Sequence, residues 1–260
     1  MKHFFYLGSL YLLCTAAFAQ ELPSEEKVYS GRFYLNLEYQ LKGGLNLGGS
    51  TPIPFPQEIR AIKNFNPTLA FTVEANATHW LEHQQNWGIR SGLRYEMRGM
   101  KSDAEVKNYR TEIIGEGGEL LKGYFTGETS TTVKNTYLTI PILAVYRVSP
   151  NWDFSFGPYF SLLLSKRFEG TVGEGHLRDP DPTGIKTSFT KENGATFDFS
   201  DQINPFQWGV QLGTAYQLTP KIQIYSDFSW GFNNLFKKDF ETISFKLYSL
   251  NLNLGVAYRF

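Results

Sequence analysis

Apolar and polar residues alternate strictly through residues 248–260 (YSLNLNLGVAYRF). Tyr248, Leu250, Leu252, Leu254, Val256, Tyr258 and Phe260 form one set, with Ser249, Asn251, Asn253, Gly255, Ala257 and Arg259 between them. A period of two is the signature of a β-strand with one greasy and one polar face. In water such an edge invites aggregation, whereas in lipid, with its edges closed into a barrel, it is stable. The same alternation recurs over residues 32–40, 68–78, 87–98, 135–147, 152–167, 207–218 and 221–231. Each stretch suits a tilted span of about 9–11 residues. The pattern predicts an all-β protein, an eight-stranded antiparallel up-and-down transmembrane β-barrel, in which residues 248–260 close against residues 32–40.

The connections alternate in length. Residues 81–86, 149–151 and 219–220 are short and have turn composition. Residues 41–67, 99–134, 168–206 and 232–247 are longer and are expected to form external loops. Short turns at one end and long loops at the other mark outer-membrane barrels, with the short end periplasmic. Aromatic residues sort by the same rule. Trp80, Trp87, Tyr146, Trp152, Tyr216, Tyr258 and Phe260 lie beside the short turns or at the last strand's end, and predict one interfacial ring. Tyr39, Tyr95, Trp208, Trp230 and Tyr248 predict the opposite ring. Pro141 removes a ladder donor and predicts a bulge.

Lys2 and His3 precede an apolar run that ends in Ala17-Phe18-Ala19, so residues 1–19 read as a cleaved secretory signal peptide and residues 20–260 as the barrel domain. The sole cysteine, Cys14, lies in that leader, and the exported chain would have no disulfide. Basic and acidic residues both number 25, which gives no field for nucleic acid. The mean hydropathy of −0.30 does not argue against a barrel, since alternating strands and polar loops dilute the membrane signal. No run after the leader approaches ~18 uninterrupted apolar residues, which disfavours a helical membrane protein.

The stretch Tyr137-Leu138-Thr139-Ile140-Pro141-Ile142-Leu143 resembles the Y-L-x-I-P-L-L signature of PorT-like outer-membrane β-barrel proteins. Gly92-Leu93-Arg94-Tyr95, Gly157-Pro158-Tyr159, residues 209–216 and residues 255–260 are similar to further segments of that family, in the same order. The family often carries an acidic residue where this chain has Thr139. The resemblance implies a small outer-membrane barrel of a Gram-negative bacterium and makes Pro141 expected. It implies no activity.

The polar faces would place Glu38, Glu74, Arg90, Arg94, Glu96, Arg98, Arg147, Asp227 and Arg259 inside a lumen that side chains can fill. Opposite charges there should pair into a plug, with a narrow gated conduit as the functional alternative. No catalytic, cofactor-binding or metal site is expected, and no cofactor. His79 and His83 flank a short turn, His176 stands alone in a long loop, and Asp179-Pro180-Asp181 reads more simply as a turn than as a calcium site. The expected role is structural or binding, through loops 41–67, 99–134, 168–206 and 232–247. Partners would be outer-membrane lipid and a surface glycan, lipopolysaccharide or protein. The alternatives are a small-solute channel, a lipid-modifying barrel enzyme, and a secreted lipocalin-like barrel.

Overall fold

The computed structural model describes residues 37–81, 86–115, 117–190 and 192–260. Twelve strands follow in order: β1 (Leu37–Pro52), β2 (Ile59–Asn66), β3 (Ala70–Trp80), β4 (Trp87–Ile114), β5 (Leu120–Ser149), β6 (Trp152–Ser165), β7 (Phe168–Asp179), β8 (Ile185–Phe189), β9 (Ala195–Asp198), β10 (Phe206–Gln217), β11 (Ile222–Gly231) and β12 (Leu247–Arg259). All pairings are antiparallel. β1 pairs with β3, β3 with β4, β4 with β5, β5 with β6, β6 with β10, β10 with β11, and β11 with β12. β12 then pairs back onto β1, from Gln40↔Arg259 to Pro52↔Leu247, so the ladder returns to its start.

The first strand corrects the sequence reading. Residues 32–36 lie outside the described residues, and β1 runs on to Pro52, into the expected loop 41–67. Four glycines in KGGLNLGGS make that stretch read as a loop. Three of them, Gly44, Gly48 and Gly49, are instead close-approach sites: a Cβ on Gly44 would lie 2.3 Å from the Leu254 carbonyl oxygen and 2.7 Å from the Tyr225 hydroxyl. Glycine there leaves room for an inward tyrosine.

The long connections are corrected as well. Residues 99–134 are not a loop throughout, because β4 and β5 continue as a hairpin through 28 and 30 residues, and the Gly115 amide donates to the Glu119 carbonyl near its tip. β2 extends the wall beside β4, while β7, β8 and β9 fill most of residues 168–206. Residues 232–246 hold no strand, though a single bridge joins Phe236 to Ile203.

Inside and outside exchange character along β4. From Trp87 to Met97 the outward residues are apolar except Ser91 and the inward ones include the charged set: Ile89, Leu93 and Tyr95 are about half exposed, while Arg90, Arg94 and Glu96 are buried. From Met100 the inward set becomes Met100, Ala104 and Val106, and the outward set Lys101, Asp103 and Glu105. The upper strands close over an ordinary apolar core that includes Val106, Ile113, Phe125, Phe168, Phe197, Phe236 and Leu247. At the same height Asn108 (φ 52°) and Gly127 (φ 151°) mark register shifts in β4 and β5, which bend the hairpin.

Pro141 causes no bulge. The register is the same on either side of it, with Ser91↔Ile142 and Arg94↔Thr139 toward β4 and with Pro141↔Tyr159 and Ala144↔Phe156 toward β6. The Ser91 hydroxyl donates to the Pro141 carbonyl at 2.9 Å. The aromatic rings are corrected at two positions. Trp80 points inward, 9% exposed, and Tyr39 lies beside Phe260 at the short-turn end, where the Phe260 amide donates to its carbonyl. Trp87–Tyr146, Trp152–Tyr216 and Tyr258–Phe260 do cluster at that end, with centroids 4.7, 4.9 and 5.2 Å apart. Trp208, Trp230 and Phe232 cluster at the other.

Candidate functional site

Two regions gather polar chemistry: the interior of the strand cycle and the end formed by the long connections. The interior is packed in layers. Nearest the short turns, Arg147 donates to Asp153 at 2.8 Å, and Arg259 forms an ion pair with Glu38 at 2.9 Å. Trp80 donates to the Glu38 carboxylate at 3.2 Å, beneath the Arg147 guanidinium 4.0 Å from its ring. In the middle, Arg94 pairs with Glu74 at 2.5 Å and reaches Gln211 at 2.8 Å, while Lys42 pairs with Asp227 and lies 4.0 Å from the Tyr225 ring centroid. Above them, Arg98 pairs with Glu96 at 2.7 Å, stacks over Tyr137 at 4.5 Å and donates to Ser249 at 3.2 Å. Thr139, at the position where relatives often carry an acid, donates to Glu96 at 2.6 Å.

All nine residues expected inside are on the inner face, and the structure adds Lys42 and Asp153. Lys42 was missed because the glycine-rich stretch hid its strand. Several contacts cross between strands that are not neighbours: β4 to β10 through Arg94–Gln211, β4 to β12 through Arg98–Ser249, and β1 to β5 through Glu38–Arg147 at 3.7 Å. Such contacts fill an interior and leave its charges mutually compensated. Arg90 is the exception. It is 3% exposed, its Nε donates to Thr78 at 2.8 Å, and its Nη2 has no partner among the described residues.

The other end offers surfaces. A groove of about 510 Å³ runs between the β4–β5 hairpin tip, β9 and residues 239–242. Its rim carries Arg110 and Lys122 against Glu112, Asp198, Asp239 and Glu241, so it is net acidic. A second hollow of about 490 Å³ opens where the apolar belt ends, among Leu69, Met97, Lys134, Lys166 and Arg167. Lys166 is bound to Asp201 at 2.5 Å, which holds that carboxyl below its usual range, and Arg167 lies 3.4 Å from Glu169. Lys101 and Lys134 are exposed on the same outer face and have no ion pair among the described residues. A third, apolar cavity of about 140 Å³ lies inside the upper strands.

The histidines and the acidic turn fall apart from one another. His79 is on β3 opposite Leu37, at the short-turn end, and His83 lies outside the described residues. His176 is on β7 opposite Thr126, where burial, Lys186 and Arg178 lower its pKa. Asp181 accepts hydrogen bonds from the Thr183 amide and hydroxyl at 2.7 and 2.6 Å, so it closes a turn. No group of three or more histidine, cysteine or acidic residues among the described residues could hold a metal.

This geometry defines a class: an all-antiparallel barrel-like protein with a polar interior and an apolar outer belt, as expected of a chain that lives in lipid. The chain belongs to the outer membrane protein β-barrel domain family, whose model matches residues 18–237. No curated protein matches it. Among solved structures it is similar to Neisserial surface protein A, with 11% identity and a TM-score of 0.37, over 86% of this chain and 97% of the other. It is similar also to OprG of Pseudomonas aeruginosa (10%, TM-score 0.35, over 86% and 95%) and to the outer membrane protease OmpT of Escherichia coli (12%, TM-score 0.37, over 89% and 99%). An outer-membrane location follows from the family.

Proposed function

We propose that the chain is a PorT-like barrel of a Gram-negative outer membrane, exported by way of a signal peptide at residues 1–19. Eight of the twelve strands (β1, β3, β4, β5, β6, β10, β11 and β12) span the bilayer, and β2, β7, β8 and β9 build a module outside it. The short turns face the periplasm. The protein binds; it neither conducts nor catalyses. The observation that carries this reading is the packed interior, where Arg94, Arg98 and Glu38 make contacts across the ring and no loose charge ladder lines a water path. The long connections, by contrast, fold into a module with three hollows.

The basic residues Lys101, Lys134, Lys166 and Arg167 stand just above the apolar belt, at the level of lipid phosphates. They fit the phosphates of lipopolysaccharide as their anionic partner. The acidic groove at the hairpin tip fits a cationic segment of a protein partner. Planar-bilayer recording of the purified protein tests the reading: no steady conductance is expected. Stepwise conductance lost in Arg98→Gln or Glu96→Gln variants would instead favour the small-solute channel.

A further inference from the structure

The apolar cavity has an opening that the strand pairing itself creates. β3 begins at Ala70, opposite Asn46, so the last six residues of β1 pair with β12 alone. β2 takes the place above β3, yet its only strand partner is β4. The facing edges of β1 and β2 are therefore unpaired with each other, and a slot lies between them. Ile59, Ile62 and Phe65 stand opposite Val106, Ala104 and Ser102 on the inner face of the wall, because directly paired residues share a side. Ile62 and Phe65 are nonetheless 50% exposed, and Phe55 on the rim is 53% exposed. An inner face this apolar and this open is not a finished core.

The lining decides the ligand's chemistry. None of the cavity's residues is charged; the polar groups are the hydroxyls of serines, threonines and Tyr109. A charged ligand would lose its hydration with no counter-ion to replace it. Tyr109 packs 5.8 Å from Phe245, and its hydroxyl makes no hydrogen bond among the described residues. Burial alone raises its pKa, so it is a neutral donor at physiological pH. The volume, about 140 Å³, is close to that of apolar cavities of roughly 150 Å³ that stay dry and take up benzene or xenon. Lipid tails are an unsuitable occupant. The cavity begins at Met100 and continues to Tyr109, above Met97, the last apolar residue of the outward belt on β4.

We propose that the slot between β1 and β2 is a binding site for a small uncharged molecule about the size of one aromatic ring, with Tyr109 positioned to bond a single hydroxyl-type group on it. The site rests on the barrel reading only for its placement outside the membrane. Because the layers of Arg98 and Arg94 lie beneath it, the molecule is held and does not pass through.

The test uses the full-length protein in lipid nanodiscs, with fluorobenzene and 4-fluorophenol followed by fluorine NMR, and empty discs as the measure of partitioning. Saturable broadening is expected with the protein. It should weaken about tenfold in Ala104→Phe, which fills the cavity, and likewise in Ser102→Phe. Tyr109→Phe should abolish any preference for the phenol while leaving fluorobenzene binding in place. Crystals of the unsubstituted protein under xenon should show an atom between Ile62, Met100 and Tyr109, which decides the matter even if both filled variants misfold. Non-saturable broadening equal to that of empty discs, unchanged binding in the filled variants, or a cavity without xenon would overturn the proposal. So would a cavity found closed by another polypeptide's aromatic side chain. Heat-modifiable gel migration of the same samples reports on the barrel itself, so its loss in the unsubstituted chain would count against the barrel reading.

Discussion

Glu74 and Arg94 meet at 2.5 Å with both side chains 2% exposed, so neither charge can be removed without stranding the other. Breaking such a pair costs about 3–5 kcal/mol, whereas its net contribution as an intact pair is small. Glu74→Gln is therefore expected to destabilise the folded barrel by roughly that amount, read as a lowered urea midpoint in lipid vesicles by tryptophan fluorescence. Arg90 predicts the opposite. With Thr78 as its one hydrogen-bond partner among the described residues, Arg90→Met removes a buried uncompensated cation and should leave the midpoint unchanged or raise it. A large loss in Arg90→Met, with none in Glu74→Gln, would show that the interior is not organised by ion pairing.

At the scale of the element, β4 changes solvent along its length. Below Met97 its outward side chains are apolar except Ser91; from Lys101 they are charged, and the inner face turns apolar in compensation. Leu93→Arg, in the middle of the belt, should cost about 2–4 kcal/mol, while Glu105→Arg on the same outward face should stay within about 0.5 kcal/mol. The same urea titration reads both. This inversion also explains what could be read in the chain. Strands with clean alternation, such as residues 87–98 and 248–260, were legible because one face had to be greasy. Residues 100–107 (MKSDAEVK) alternate equally well with the phase of a water-facing strand, and so passed for a charged loop. β1 was hidden by glycines whose role, room for Tyr225 and close approach to β12, depends on distant partners. Trp80 was placed on the wrong face because its partners, Glu38 and Arg147, come from other strands. The interior charges were legible one by one; the contacts that join them across the ring were not. Of the three hollows, none could be found in the sequence, since each is assembled from segments far apart in the chain.

The whole molecule carries two cores of opposite kind, one above the other. Inside the strand cycle the core is charged and hydrogen-bonded, and the surface is greasy; above it the core holds Phe125, Phe197 and Phe236, and the outer face of β4 is charged. Proteins in water bury their apolar residues, and proteins in lipid need only satisfy their polar ones. On the proposed barrel reading the boundary between the cores, between Met97 and Lys101 on β4, falls at the membrane surface. Because Cys14 is the sole cysteine and falls in the leader proposed at residues 1–19, single cysteines can be placed along β4 of the exported chain without background. The direct measurement is the quenching of a fluorophore at each position from 88 to 107 by brominated lipid and by a water-soluble quencher. Odd positions 89–97 are expected to respond to brominated lipid and even ones to be shielded from both, with positions 101, 103 and 105 responding to the aqueous quencher. Aqueous quenching throughout 88–98, with no response to brominated lipid, would contradict the membrane barrel.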